Sequence, residues 1–259
     1  MAIGIPRMEL STGAQMPRLG LGTWKLTGDT CAQAVDLALR MGYDHIDTAD
    51  VYGNHLEVAE GMAGHDRESI WLTSKVNRGS LRYDDVLATC EKNLRELRTD
   101  YVDLYLIHWP DPEAPMGETF RALKRLRDEG MAREIGVSNF MVEHLTEALE
   151  VSEAPIVNNQ IKVHPAHQPW EVVELCRENG ISVTAYSPLG HGNLLDDPTL
   201  KRIAGEVGRT VAQVCVRWLL QQGMIVIPKA SSEEHIRENL EALEFELSPE
   251  HDEAIRAMG

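Results

Sequence analysis

Four residues have types and positions that suit proton transfer to a carbonyl oxygen. Asp47 closes the short apolar run 45–48, and Tyr52 follows five residues later in a loop. Lys75 ends the apolar run 70–76, and His108 ends 102–108, the most hydrophobic stretch of the chain. An acid and an amine at neighbouring strand ends are expected to pair, because burying either charge alone costs several kcal/mol. A lysine cation beside a phenol favours phenolate, so Tyr52 is expected to fall from its ordinary value of about 10 toward neutral pH. That suits a proton donor and acceptor in carbonyl–alcohol interconversion. A histidine opposite the phenol would hydrogen-bond the substrate oxygen and fix the face presented. Taken singly, each residue has a plainer reading: Asp47–Lys75 as a bridge closing a barrel, Tyr52 as a rim aromatic, His108 as a satisfied core residue. His45 points the same way as Asp47 but deeper, and reads as core. His164 and His167, flanking Pro165, lack ligand geometry.

These residues meet only if their strand ends share one rim. The chain has a rhythm of short apolar run, polar loop and amphipathic helix pattern. Candidate strands lie at 19–23, 45–48, 70–76, 102–108, 134–138, 156–160, 182–186 and 224–228. Helix patterns include 30–41, 81–97, 118–129 and 169–179, with Leu56, Val58, Ala59 and Met62 marking another. Gly42, Gly130 and Gly180 stand where helix C-termini should be. Near-continuous apolar strands in alternation with helices favour an α/β fold of the closed parallel type, a (β/α)8 TIM barrel, over an open doubly wound sheet. Residues 8–10 and 15–17 predict an N-terminal β-hairpin. Residues 193–208 form an extra helix or loop before helix 211–221, and 233–243 and 249–258 close the chain. The strand ends are then Thr23-Trp24, Asp47, Lys75, His108-Trp109, Ser138-Asn139, Gln160, Tyr186-Ser187 and Lys229, on the rim where such barrels carry their sites.

No linker divides the 259 residues, so one domain, 1–259, is expected, with 43% hydrophobic content sufficient for a core. The sequence has no apolar run of about 18 residues for a membrane span and no signal-peptide pattern at its start. A cytoplasmic location is expected. A net charge of −16 disfavours nucleic acid and anionic membranes as partners. Cys31, Cys90, Cys176 and Cys215 are widely spaced, which favours reduced, partly buried thiols over a disulfide framework or zinc site. No long exposed apolar stripe asks for a second subunit, so a monomer acting on a small molecule is expected.

With these residues in order, the chain resembles the aldo-keto reductases from GLGTW to its last helix. The resemblance rests on GYDHIDTADVYGN, DYVDLYLIHWP, GVSNF, NNQIKVHP, AYSPLG and IPKASSEEHIREN. It is nearest to the short prokaryotic members that reduce small ketones, aldehydes and keto-sugars, 2,5-diketo-gluconate reductases among them. The resemblance implies a catalytic set of Tyr52 as acid, Asp47 and Lys75 as its tuners, and His108 as substrate orienter, without metal. It implies a cofactor, NADPH (NADP+). Ser138, Asn139 and Gln160 would hold its carboxamide, Tyr186 would stack on the ring, and Thr23, Trp24, Asp47, Ser187, Leu189 and Gly190 would line its middle. Lys25 would approach the pyrophosphate, and Lys229, Ser231, His235 and Asn239 the adenosine end. Trp24, His108 and Trp109 would bind substrate, in a site left open by the short loop 111–117 and the end at Gly259.

Departures from the family pattern are as informative. Gly20-Leu21-Gly22 stops short of a Rossmann fingerprint, which a barrel does not need. Ala230 and His235 stand where the family usually has Ser and Arg gripping the 2′-phosphate, and Arg237 is expected to face away. Losing that charge-assisted bond costs about 1.5–3 kcal/mol, roughly 10- to 150-fold in affinity, so NADH use is expected. His55 and Lys162 stand where the family often has Glu, without a role. A nucleotide-binding barrel that has lost turnover would lack part of the catalytic set, which is complete here. A metal-dependent barrel lyase would need clustered carboxylates or histidines, and only Asp47 and His108 qualify.

Overall fold

The computed structural model describes residues 4–259. Strands β1 (Arg7–Glu9) and β2 (Gln15–Pro17) form the antiparallel hairpin, with Met8 opposite Met16. Leu10 and Met16 are buried against Leu104, Leu106, Val157 and Ile225, so the hairpin plugs one end of the sheet that follows.

That sheet contains β3 (Leu21–Gly22), β4 (His45–Asp47), β5 (Trp71–Val76), β6 (Val102–Ile107), β7 (Ala132–Ser138), β8 (Ile156–Lys162), β9 (Ser182–Tyr186) and β10 (Ile225–Val226), every neighbouring pair parallel and in chain order. It closes on itself: Gly20 N donates to Val226 O at 2.9 Å, and Gly22 N to Pro228 O at 3.1 Å. The result is the (β/α)8 barrel.

The two closing strands are shorter than the runs 19–23 and 224–228. A Cβ on Gly22 would stand 2.8 Å from Ile227 O, so the chains pass closer than regular pairing allows. They touch through isolated bridges, Leu19 to Val226 and Gly22 to Lys229. Gly136 plays a similar part inside β7. The register with β8 shifts beside it, and a Cβ there would meet Asn158 O at 2.5 Å.

Helices α1 (Gly28–Arg40), α2 (His55–Met62), α3 (Tyr83–Leu97), α4 (Met116–Asp128), α5 (Val142–Val151) and α6 (Trp170–Glu178) alternate with the strands. The segment 193–208 resolves into α7 (Pro198–Val207), begun by the Asp197 side chain accepting from Leu200 N. Then come α8 (Val211–Gln221), α9 (Glu233–Glu241) and α10 (Pro249–Arg256). One apolar pattern misleads. In α2, Leu56 faces solvent and His55 is buried, because His55 has polar partners on both neighbouring elements. All four cysteines are free and fully enclosed, deeper than their spacing suggested, and burial raises the Cys90 thiol to about 12.

Candidate active site

A cavity of about 680 Å³ opens on the C-terminal rim, and its walls come from loops all round the barrel. Asp47, Tyr52, His108, Ser138, Asn139, Gln160 and Tyr186 line its inner part, with Trp24 and Trp109 at its exposed lip. Ser187, Leu189, Lys25 and Lys229 line it too. Val51, Pro188, His191, Gly192, Ile227 and Pro228 also border it and went unnoticed in the sequence. His191 had a signal: it directly follows AYSPLG, and its ring lies 5.4 Å from that of Trp24. Lys75 and Thr23 are wholly buried behind the wall. Gly190, Ser231, His235 and Asn239 do not border the cavity; of these, Ser231 and His235 are exposed.

The four chemistry-bearing residues lie together. Lys75 Nζ donates to Asp47 Oδ1 at 2.6 Å and to Thr48 O at 2.9 Å, and Gln160 Nε2 donates to Asp47 Oδ2 at 2.7 Å. Burial pushes the Asp47 carboxyl up and the Lys75 amine down, and each is opposed by the other's charge. The Tyr52 ring stands 5.6 Å from His108 in an edge-on arrangement, with Lys75 Nζ 5.2 Å from its centre. Tyr52 departs from expectation. Its phenol is raised well above 10, by burial first and then by the negative charge of Asp47 and by Tyr186. Burial of the phenol, reinforced by the Asp47 charge, outweighs the paired Lys75 cation. His108 is held neutral, at about 3, by burial and by the Lys75 cation. Its Nδ1 is buried without a partner among the described residues.

The supporting side chains are already ordered among themselves. Ser138 Oγ donates to Gln160 O at 2.8 Å, Asn139 Nδ2 to His108 O at 2.9 Å, and the Tyr186 hydroxyl to Asn139 Oδ1 at 2.7 Å. Asn139 adopts φ 62°, a left-handed conformation that Asn tolerates well. Gln160 Oε1 makes no hydrogen bond among the described residues and remains an acceptor on the cavity wall. Ser187, Gly190, His191 and Gly192 all have left-handed backbone, from which anion-binding concavities of amide groups are built. At the far end Ala230 is buried, and Arg237 is engaged by Glu233 at 2.5 Å. No group of three potential metal ligands exists among the described residues, nor any helix long and apolar enough to cross a membrane.

Buried neutral histidines make the site acid-sensitive. His45, fully enclosed with Nε2 3.2 Å from Thr73 Oγ1, is held at about 3, as is His108. Both are depressed from about 6.5. Between those values the unfolded chain binds more protons than the folded one, so stability rises with pH across the window and falls on acidification. Each histidine contributes at most about 1.4 kcal/mol per pH unit there. Urea midpoints measured from pH 7 to pH 4 should fall steadily; a flat profile would contradict the burial of these rings.

The Aldo/keto reductase family profile matches residues 18–259. The chain is 42% identical over 254 residues to a glyoxal reductase of Bacillus subtilis, covering 97% of this chain and 92% of that protein. It is 44% identical over 246 residues to an aldo-keto reductase of Mycolicibacterium smegmatis, covering 94% and 90%. The crystal structure of an aldo/keto reductase from Brucella melitensis superposes with a TM-score of 0.94 at 40% identity, covering 98% of this chain and all of that one. Sequence profile, relatives and fold agree along nearly the whole chain: it belongs to the aldo/keto reductase family and is an oxidoreductase of carbonyl groups.

Proposed function

We propose that the chain reduces small aldehydes, ketones or keto-sugars to alcohols with NADPH or NADH, with Tyr52 as the proton donor. The observation that carries this reading is the placement of a protonated phenol and a neutral imidazole, 5.6 Å apart, on a cavity backed by a buried Lys75–Asp47 pair. A bound nicotinamide cofactor supplies a hydride to the carbonyl carbon. The residues present fit one: Gln160 Oε1 and the remaining lone pair of Asn139 Oδ1 suit the amide hydrogens of a carboxamide, Tyr186 offers a ring on the same wall, and Lys25 and Lys229 line the cavity with positive charge for phosphates. The neutral His108 ring hydrogen-bonds the substrate oxygen and holds it beside Tyr52. Tyr52 then passes its proton to that oxygen. Asp47, held from both sides by Lys75 and Gln160, keeps the pocket floor rigid. Trp24, Val51 and Trp109 make an apolar, open mouth that suits small carbonyls of varied shape. The free, buried cysteines suit a reducing cytoplasm, where we place the chain as a one-domain monomer.

A panel of glyoxals, diketones, keto-sugars and nitrobenzaldehyde, followed by nicotinamide absorbance with each cofactor, tests the reading. Turnover should survive EDTA; no consumption of either cofactor with any carbonyl would sink it. Cofactor choice has its own expected outcome. With Ala230 and His235 at the 2′-phosphate position and Arg237 engaged by Glu233, NADH should be used, and kcat/KM for NADPH should exceed that for NADH by less than about a thousandfold. His235→Arg should raise kcat/KM for NADPH by roughly 10- to 150-fold and leave NADH little changed. An unchanged ratio in that variant would place the phosphate elsewhere.

A further inference from the structure

Behind the cavity, on the helix side of the barrel, lies a connected set of charged and polar groups to which the mechanism assigns nothing. His55, the first residue of α2, is buried at 2% exposure. Its Nδ1 is 3.3 Å from Glu96 Oε2 on α3, and its Nε2 is 3.1 Å from the Ser74 hydroxyl on β5. A carboxylate only accepts, so Nδ1 carries the proton and Nε2 accepts from Ser74. Glu96 continues to Lys92, one turn earlier on α3, at 3.7 Å. Lys92 Nζ donates to Asp50 Oδ1 at 2.9 Å. Asn93 holds the same oxygen at 2.9 Å once its amide is oriented to satisfy both neighbours.

The two ends of this chain of contacts are what make it informative. Ser74 is the covalent neighbour of Lys75. Asp50 begins the single 3-10 turn, Asp50–Tyr52, that carries the phenol. That turn has little else to hold it: its own backbone bonds are Tyr52 N to Ala49 O at 3.0 Å and Gly53 N to Asp50 O at 3.2 Å. Tyr52 and Lys75 therefore ride on separate elements that are both referenced to α3 through His55, Glu96, Lys92 and Asp50. Asn54, fully buried, ties the following residue to Thr48 and to the backbone of Thr23 and Leu26. Thr48 is in turn bonded to β5, its N donating to Thr73 O and its O accepting from Lys75 Nζ, and His55 supplies a second tie to β5 on the far side of the turn.

We propose that His55 is a positioning residue for the reaction, holding the Tyr52 turn in register with the Lys75 strand through Glu96 and Lys92. This rests on the reading of Tyr52 as the acid. The imidazole at position 55 matches both of its neighbours. A carboxylate there would stand against Glu96, whereas a neutral imidazole donates to Glu96 and accepts from Ser74 at once. The groups facing the ring are Glu96 and Ser74, with Asp50 and Lys92 next in line.

His55→Leu keeps the volume and removes both hydrogen bonds, while His55→Gln offers one donor and one acceptor in their place. A misplacement of the acid by a fraction of an ångström lowers the proton-transfer step by roughly 10- to 100-fold. His55→Leu should therefore lower kcat by about that factor, with cofactor Kd by fluorescence titration within about twofold of wild type. The deuterium isotope effect on kcat, measured with cofactor deuterated at the transferred position, should rise as the chemical step slows. A purely structural defect would reduce the active fraction and leave the isotope effect alone. His55→Gln should recover most of the rate. Lys92→Met, at a half-exposed position, gives a variant that folds and should show the same signature more weakly. Wild-type kcat in His55→Leu overturns the proposal. So does an unchanged isotope effect with reduced rate, or a His55→Gln as slow as His55→Leu. Tyr52→Phe assayed alongside separates the two readings: an active Tyr52→Phe refutes the acid, whereas an inactive one with unimpaired His55→Leu refutes only the positioning.

Discussion

Tyr52→Phe is expected to lower kcat for carbonyl reduction by about a thousandfold, within the usual range for losing a positioned acid, while cofactor Kd stays at its wild-type value. The substitution removes one oxygen and keeps the ring, so the edge-on contact with His108 and the approach of Lys75 survive. The pH dependence separates Tyr52 from the other proton source on the cavity wall. Burial and the Asp47 charge hold the phenol well above 10, so its protonated form is fully present across neutral pH and is lost only far on the alkaline side. Reduction by Tyr52 should consequently be flat from neutral pH to about pH 9. His108, at about 3, has no second proton to give anywhere in that range. If imidazolium were the acid, the rate would fall with rising pH from the acid limit onward. Alcohol oxidation, which needs the deprotonated phenol, should rise with pH instead. A Tyr52→Phe enzyme within tenfold of wild type would mean the proton comes from elsewhere.

What could be read from the sequence divides along a physical line. Strand ends were legible because each barrel strand is buried on both faces and reads as an apolar run, so the polar residue that stops it is conspicuous. That logic found Asp47, Lys75, His108, Ser138, Gln160 and Tyr186 without any coordinates. It did less well where geometry depends on backbone approach. The closing strands shrink to Leu21–Gly22 and Ile225–Val226 because Gly22 admits Ile227 O into contact, and nothing in apolar periodicity announces that. Periodicity also put Leu56 inside α2, when a hydrogen-bonded histidine won the buried place. The Tyr52 shift was misjudged for a related reason. Burial of the phenol is the larger cause, followed by the negative charge of Asp47, and neither shows in the spacing of a loop tyrosine from a strand-end lysine. His191 was missed because a loop residue meets Trp24 only through left-handed backbone at 190–192.

Lys75→Met should cost about 3–5 kcal/mol of stability at neutral pH, on the order of 10 °C in Tm. The carboxylate of Asp47 is buried beside it at 2.6 Å, and removing the amine strands that charge in a low-dielectric floor with only Gln160 donating to it. The sign of the pH response identifies the cause. Without Lys75 the folded carboxyl rises further above its unfolded value of about 3.9, so the folded state binds the extra proton and the deficit grows with pH. Acidification from pH 7 should then narrow the gap between variant and wild type. Asp47→Asn in the Lys75→Met background removes the stranded charge and keeps the shape. It should recover most of the lost stability, since a buried ion pair replaced by neutral groups is often no worse than the pair itself. It should not recover activity, because the amine beneath Tyr52 and its hydrogen bond to Thr48 O stay lost, even with Gln160 Nε2 still donating to the amide oxygen at position 47. Urea unfolding of the two single variants and the double at pH 5 and pH 7 decides the matter. A Lys75→Met protein within 1 kcal/mol of wild type at both pH values, or a double variant no more stable than Lys75→Met, would show that the pair is not charged in the folded chain and that the pocket floor is held by hydrogen bonding alone.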